Sequence, residues 1–459
     1  MYYDIHNHLF NKHFLAKELL YRLMKEMGSL SGVGEGASLE ESGASRGLKN
    51  AIRSLRRYTH AIWIFCRKNS AEIFRELDKT YQGEFLLTPL TFDLTWCFKP
   101  EASLKIPLGT DTEAAKDFKR ESARFFRMAE SHLQTHIFGG IPVSDEENLL
   151  REKYAREKER FLKSAGKLLD SERQASLAPG SQGGWDEQIR QLQDMKENPL
   201  FRERIFPFLA VDPRRPGILQ YAREKVGRGN LFVGIKLYCP NGYSPTDPLL
   251  YGHGRQRDGI YAFCEDNGIP VTTHNSLGGF ATLAKSVVIT GDIYRDGKLI
   301  SLDRGTVKFK NSFFKSEGVY ERAMTLNHPL IWNKVVEKYP GLLLNLAHFG
   351  GAAELGKALD SPDDSSLWSG KIIALLKDSR FSVYTDLSCF TEFKVLRKLL
   401  KSPVYPQIRH RILFGSDYTL LLLFENNFKA NIRKFREYFR NDFDIIAGQN
   451  PREFLSHVV

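Results

Sequence analysis

His6 and His8, in the opening segment MYYDIHNHL, are the first residues whose type and spacing could do chemistry. The segment reads as a short strand. Alternate side chains share a face of a strand, so His6 and His8 point one way and Asn7 the other. At a rise of roughly 3.3 Å per residue the two imidazoles start about 6.6 Å apart, within reach of a common ion. Neutral imidazole suits zinc and related divalent metals. An HxH pair by itself equally describes two ordinary core or surface histidines. Its weight comes from residues far downstream that answer it.

Those residues stand at the ends of apolar, strand-like runs. After the first strand come EFLLTPLTFDL (84–94), ending near Asp93, and RIFPFLAVD (204–212). NLFVGIKLY (230–238) carries Lys236, and IPVTTH (269–274) ends at His274. GLLLNLAH (341–348) ends at His348, RFSVYTDLS (380–388) carries Asp386, and HRILFGSD (410–417) ends at Asp417. Amphipathic helical segments alternate with the later strands, among them GILQYAREKV, LIWNKVVEKYP, SGKIIALLKDS and FKVLRKLLKS. Continuous apolar runs fit strands buried on both faces, and strand–helix alternation implies parallel pairing.

Eight such strands fit a (β/α)8 TIM barrel of the α/β class. A doubly wound open sheet is the alternative, but it would gather its polar residues at one switch point rather than at strand ends all around the count. In a closed barrel His6, His8, Lys236, His274, His348, Asp386 and Asp417 meet at one mouth. Three or four nitrogen and oxygen ligands with an open water position describe a catalytic metal site.

The remaining stretches read as insertions into a single barrel spanning 1–459. Residues 11–80 form an insertion after the first strand. Within it, 14–27 reads as helix, 28–47 as a Gly/Ser/Glu-rich loop, and 48–80 as helix broken near Lys68-Asn69-Ser70. Residues 97–200 read as a helical insertion or lid with charged runs and a flexible APGSQGG, a separate cap domain being the competing description. Residues 280–322 hold a hairpin insertion whose Asp296-Gly297 marks a tight turn.

The net charge of +11 is spread among acids, as in KYAREKERF, and reads as solvated helix faces rather than a nucleic-acid groove. Five cysteines, none in a CxxC pair, fit free thiols in a reducing compartment. A first strand beginning at Tyr2 leaves no room for a signal peptide, and no run of 18 apolar residues appears. The expectation is a cytoplasmic protein that acts on a small-molecule substrate and has no nucleic-acid or membrane partner; a homo-oligomer stays open.

The motifs DIHNH, PVTTHNSLGG, NLAHFGG and LFGSDY resemble the amidohydrolase superfamily, and GIKLYCPNGYSPTD and GQNPREFL fit its amidohydrolase-related branch. That branch includes decarboxylases of the aminocarboxymuconate-semialdehyde and resorcylate types. The resemblance implies that His6, His8, His274 and Asp417 ligate a metal, usually one Zn2+, and that His348 lies near the metal water or binds a second metal. It also implies a choice for Lys236: a carbamylated bridge between two metals, or a structural or substrate-contacting lysine, the reading preferred here.

The implied function is a metal-dependent hydrolase. Activated water attacks an amide, lactone or related carbonyl carbon, with Asp417 as proton acceptor and His348 orienting water or polarising the substrate. The alternative is a metal-dependent non-oxidative decarboxylase or hydratase acting on a small carboxylic acid. A TatD-like nuclease would show a Glu ligand in a GEIG-like context where this chain has GIKLY, and a non-enzymatic relict barrel would not fill every ligand position. Arg214, Tyr238, Asp93 and Trp96 are pocket candidates for substrate contact, Arg214 for an anionic one.

Overall fold

The computed structural model describes residues 1–11, 42–93, 149–150, 152–164, 184–311, 316–362, 364, 366–425 and 427–459. Ten strands run in chain order: β1 (Tyr2–Asn7), β2 (Phe85–Pro89), β3 (Phe208–Ala210), β4 (Gly234–Leu237), β5 (Val271–Ser276), β6 (Ser286–Arg295), β7 (Lys298–Lys308), β8 (Leu344–Gly350), β9 (Val383–Asp386) and β10 (Ile412–Leu413). The pairs β1–β2, β3–β4, β4–β5, β5–β8, β8–β9 and β9–β10 are all parallel.

Two further seams close the ring. Parallel bridges Leu87–Ile205 and Leu90–Phe208 join β2 to β3. The Ile5 amide donates to the Phe414 carbonyl at 3.0 Å and the Asp417 amide to the His6 carbonyl at 2.6 Å, joining β1 to the chain leaving β10. Eight parallel strands thus form a closed (β/α)8 barrel. The strands are packed on apolar side chains, with Ile5, Leu87, Phe208, Ile235, Leu344 and Leu413 fully or almost fully buried. A Cβ on Gly234 would meet ring carbons of Phe208 from 2.5 Å, so glycine there leaves room for the aromatic ring.

The outer helices follow the apolar periodicity. Trp368–Lys377 buries Trp368, Ile372, Ile373, Leu375 and Leu376, and Phe428–Phe439 buries Phe428, Ile432, Phe435 and Phe439. Between β1 and β2 stand the helices Ser42–Phe65 and Ser70–Tyr81. The break between them is set by Asn69, whose side chain caps the second helix by accepting from the Glu72 amide at 3.0 Å. The loop expected over 28–47 is corrected at its end: the helix already begins at Ser42, because a long cooperative helix carries a Ser/Gly-containing first turn along. The rest of that loop, the helix expected at 14–27, and the APGSQG stretch preceding Gly184 lie outside the described residues.

Within the second long insertion, residues 152–164 are helical, and Gly184–Glu197 is a helix. This second helix holds the two loops that enter the mouth. Gln188 exchanges both amide hydrogen bonds with the Phe92 backbone at 2.9 Å, and Gln191 Oε1 accepts from Asn11 Nδ2 and the Ser70 amide at 2.8 Å. β6 and β7 form the antiparallel hairpin, with Arg295 opposite Lys298. Both turn residues, Asp296 (φ 51°) and Gly297 (φ 80°), have the positive φ that this two-residue turn requires. The hairpin keeps a small apolar cluster of its own around Val287, Ile289, Ile293 and Val307.

Candidate active site

His6 and His8 project from the end of β1 and are buried. His6 Nδ1 lies 3.0 Å from Asp386 Oδ2, and His8 Nδ1 lies 2.8 Å from the Leu90 carbonyl. A carbonyl only accepts, so neutral His8 carries its proton on Nδ1. The Asp386 carboxylate, deprotonated, draws the His6 proton to Nδ1 in the same way. Both lone pairs are then on Nε2. Asp417 Oδ1 stands 3.7 Å from His6 Nε2 and 3.3 Å from His8 Nε2, and has no hydrogen-bond partner among the described residues. Three electron-pair donors, buried and without a proton between them, are the arrangement a cation completes.

The surroundings keep His6 and Asp417 in ligand form. Burial, reinforced by the nearby Lys236 ammonium, pulls His6 down to about 3. Burial would raise Asp417, but His8, His6 and His348 outweigh it and hold the carboxyl well below the usual range. Asp417 is also held by backbone geometry. It has φ 57°, sparsely populated for a non-glycine residue, with its amide tied to the His6 carbonyl.

Among the described residues two groups bring metal-binding atoms within 4.8 Å of one another: His6, His8 and Asp417, and His6, His348 and Asp386. The second is already committed. Asp386 Oδ2 accepts from His6 Nδ1 and from Asn345 Nδ2 at 2.8 Å, and Oδ1 accepts from the His348 amide at 3.0 Å and the Ser388 amide at 3.1 Å and also from the Ser388 hydroxyl. Asp386 is therefore a support for His6. Since the Ser388 proton goes to Asp386, Ser388 Oγ is an acceptor for His348 Nδ1 at 2.8 Å, which leaves the His348 lone pair on Nε2. His348 is buried, which lowers its pKa, and its ring stands 4.6 Å from both the His6 and His274 rings.

His274 lines the same cavity but joins neither group. Its Nε2 lies 2.9 Å from the Gly278 carbonyl and 3.1 Å from Ser276 Oγ, and Tyr238 stacks on its ring at 4.4 Å. With the proton donated to Gly278, Nδ1 is the nitrogen with a free lone pair. The expected gathering of four ligands is thus seen for three. The loop Ser276–Phe280 accounts for the fourth, because its carbonyl has taken one of the two His274 nitrogens. Lys236 Nζ is buried at the cavity floor with no hydrogen-bond partner among the described residues. Burial lowers it to about 8, against the pull of Asp386 and Asp417.

Of the four pocket candidates, only Tyr238 lines this cavity among the described residues. Its hydroxyl accepts from the Phe280 amide at 2.6 Å. Arg214 turns instead to Asp212, with Nη2–Oδ2 2.6 Å and Nε–Oδ1 2.8 Å, and Asp93 accepts from Arg215 Nε at 2.8 Å. Neither Arg214 nor Asp93 lines the cavity, and each has an opposite charge beside it in the fold. Trp96 lies outside the described residues. Sequence reasoning marked Asp386 as a strand-end acid without giving it a role, and it passed over Ser388. The DLS triplet of YTDLS was the available signal.

The cavity above these groups has a volume of about 520 Å3 and is walled mainly by aromatic and aliphatic side chains, including Phe10, Phe92, Phe280, Phe390 and Leu423. A (β/α)8 barrel with buried histidines and carboxylates at the C-terminal strand ends is the class of an enzyme. The sequence model of the amidohydrolase family matches residues 143–456, more than half of the chain. The chain belongs to the amidohydrolase family, whose members are metal-dependent hydrolases or decarboxylases. The matched stretch holds Lys236, His274, His348, Asp386 and Asp417; His6 and His8 precede it.

Three of the solved structures that match are the following. An amidohydrolase from Burkholderia multivorans with bound HEPES is 15% identical, covering 60% of this chain and 80% of that one, at a TM-score of 0.33. The IDCase of Metarhizium anisopliae in apo form is 14% identical, covering 59% and 68%, at 0.31. Dihydroorotase from Saccharomyces cerevisiae in complex with 5-fluoroorotic acid is 11% identical, covering 58% and 72%, at 0.28. No curated protein matches the sequence. Among the described residues no helix is long and apolar enough to cross a membrane.

Proposed function

We propose that the chain is a metal-dependent hydrolase that directs water onto the carbonyl carbon of an amide, lactone or related bond in a small molecule. The observation that carries this reading is the convergence of His6 Nε2, His8 Nε2 and Asp417 Oδ1, three acceptors facing one another in a buried site. Two imidazoles and a carboxylate are a donor set suited to a single Zn2+, with His274 as the further ligand that the family resemblance implies. When bound, the metal supplies Lewis acidity and lowers the pKa of water toward about 7.

The chain's own groups do the rest. Asp417, held ionised, accepts the proton of the attacking water and returns it to the leaving group. His348, neutral with its lone pair on Nε2, accepts a hydrogen bond from that water and fixes its direction. Asp386 and Ser388 hold the His6 and His348 tautomers. Lys236 acts as an unmodified ammonium toward substrate, not as a carbamate bridging a second metal.

The same reading treats 11–80, 97–200 and 280–322 as insertions into one barrel. It places the protein in the cytoplasm, in keeping with the free thiols of Cys239 and Cys264. The test is mass balance on products from a library of amides, lactones and small carboxylic acids incubated with zinc-loaded protein. Products that gain the elements of water support hydrolysis. Release of CO2 with retention of every other atom contradicts it in favour of decarboxylation.

A further inference from the structure

The chemistry above the floor narrows the substrate, given the catalytic reading just proposed. Among the described residues, lysine and arginine line the cavity only as Lys236 and Lys357. Lys357 sits at the rim, where it bonds Glu354 Oε1 at 2.7 Å, and Glu392 adds a further negative charge to that rim. Lys236 is different: it is 1% exposed and its Nζ has no hydrogen-bond partner among the described residues. A buried ammonium with three unused donors is costly until an oxygen meets it. Between floor and rim the walls are Phe10, Phe92, Phe280, Phe390 and Leu423. Aromatic walls enclosing about 520 Å3 match a body of two fused rings or a comparable branched hydrocarbon.

We infer that the site takes a substrate with a broad apolar body and a single anionic group, the anion seated on Lys236 and the body against the aromatic wall. A second carboxylate at the far end of the same body, away from Lys236 and from the His6, His8 and Asp417 set at the floor, would lie among apolar side chains or face Glu354 and Glu392, with no lysine or arginine but the Glu354-paired Lys357 to meet it among the described residues. Such an unpaired buried charge is strongly unfavourable. The selectivity is therefore for aromatic or bulky monoacids and against diacids of the same frame.

The experiment is calorimetric titration of zinc-loaded protein with naphthalene-2-carboxylate, naphthalene-2,6-dicarboxylate and naphthalene-2-carboxamide. The monoacid is expected to bind at least about tenfold more tightly than the diacid. Lys236→Met is expected to lower monoacid affinity by about tenfold or more while leaving carboxamide affinity within a few-fold. Diacid binding equal to or tighter than monoacid binding overturns the proposal, as does failure of all three probes to bind. Unchanged monoacid affinity in folded Lys236→Met overturns the anchor. The wild-type comparison of monoacid and diacid stands even where the variant does not fold. Repeating the wild-type comparison in Asp417→Asn separates this inference from the catalytic reading: the preference persists there whether or not turnover is lost, and its disappearance counts against the inference alone.

Discussion

His8 Nε2 and Asp417 Oδ1 lie 3.3 Å apart, buried, while the proton of neutral His8 is engaged on the far side of its ring by the Leu90 carbonyl. Two lone pairs held at that distance without a shared proton repel unless a cation joins them. The barrel enforces the approach: the Asp417 amide bonds the His6 carbonyl, so the last strand end delivers its carboxylate to the first. The ligand set is thus a consequence of ring closure.

Asp386→Asn tests the support behind His6. The carboxylate that fixes His6 Nδ1 is lost while the side-chain volume stays nearly the same. Metal affinity, read by competition with a chromophoric chelator, is expected to fall about 10- to 100-fold. Unchanged affinity would show that the 3.0 Å contact does not set the His6 tautomer.

Asp417→Asn removes the proton acceptor and keeps an oxygen at the site. Turnover is expected to drop by about 100-fold or more, with circular dichroism and melting temperature close to wild type. A variant with full activity refutes the assigned role.

Gly279→Ala probes the loop over His274. Gly279 has φ +92°, and a Cβ there would meet His274 Cε1 at 2.6 Å and Nε2 at 2.7 Å, with the Tyr238 hydroxyl also in the way. A cost of about 1–3 kcal/mol is expected from the backbone alone. Chemical denaturation should show it together with a fall in activity, since His274 and Tyr238 must both shift. A variant as stable and active as wild type would mean that the loop adapts freely.

The pH dependence of stability should carry a signature of His328. This histidine is buried against Tyr294, ring centroids 3.6 Å apart, and its Nδ1 accepts from the Leu330 amide. Burial, with a contribution from Lys371, lowers it from 6.5 to about 3. Between those values the unfolded chain binds a proton that the folded chain does not, so this contribution is complete above pH 6.5 and is lost progressively as pH falls toward 3. His328→Asn retains a capping acceptor without the titration. Its loss of stability between pH 7.5 and pH 5, chosen to bracket the upper part of the window, should be smaller than that of wild type by about 1–2 kcal/mol. Equal losses contradict the assignment.

The sequence made the barrel readable because each strand is a short apolar run, and each of the eight expected runs overlaps an observed strand. Asp296-Gly297 and Asn69 were readable because turns and caps are written in local chemistry. What could not be read depends on contacts between distant segments. Asp386 reads as any acid at a strand end until His6, 380 residues away in sequence, is placed beside it. Arg214 and Arg215 are adjacent and alike in type, yet one turns to Asp212 and the other reaches Asp93. His274 was readable as a site residue, but the hold of Gly278 on its Nε2 belongs to the loop geometry.

The most direct test is metal content. Purified wild-type protein, dialysed against buffer free of chelator and measured by plasma mass spectrometry, is expected to hold about one divalent ion per chain, with zinc the leading metal. The His6→Ala/His8→Ala double variant, folded by circular dichroism, is expected to hold almost none. A folded wild-type chain that takes up no metal even when zinc is supplied, or a double variant that keeps its full complement, would contradict the account.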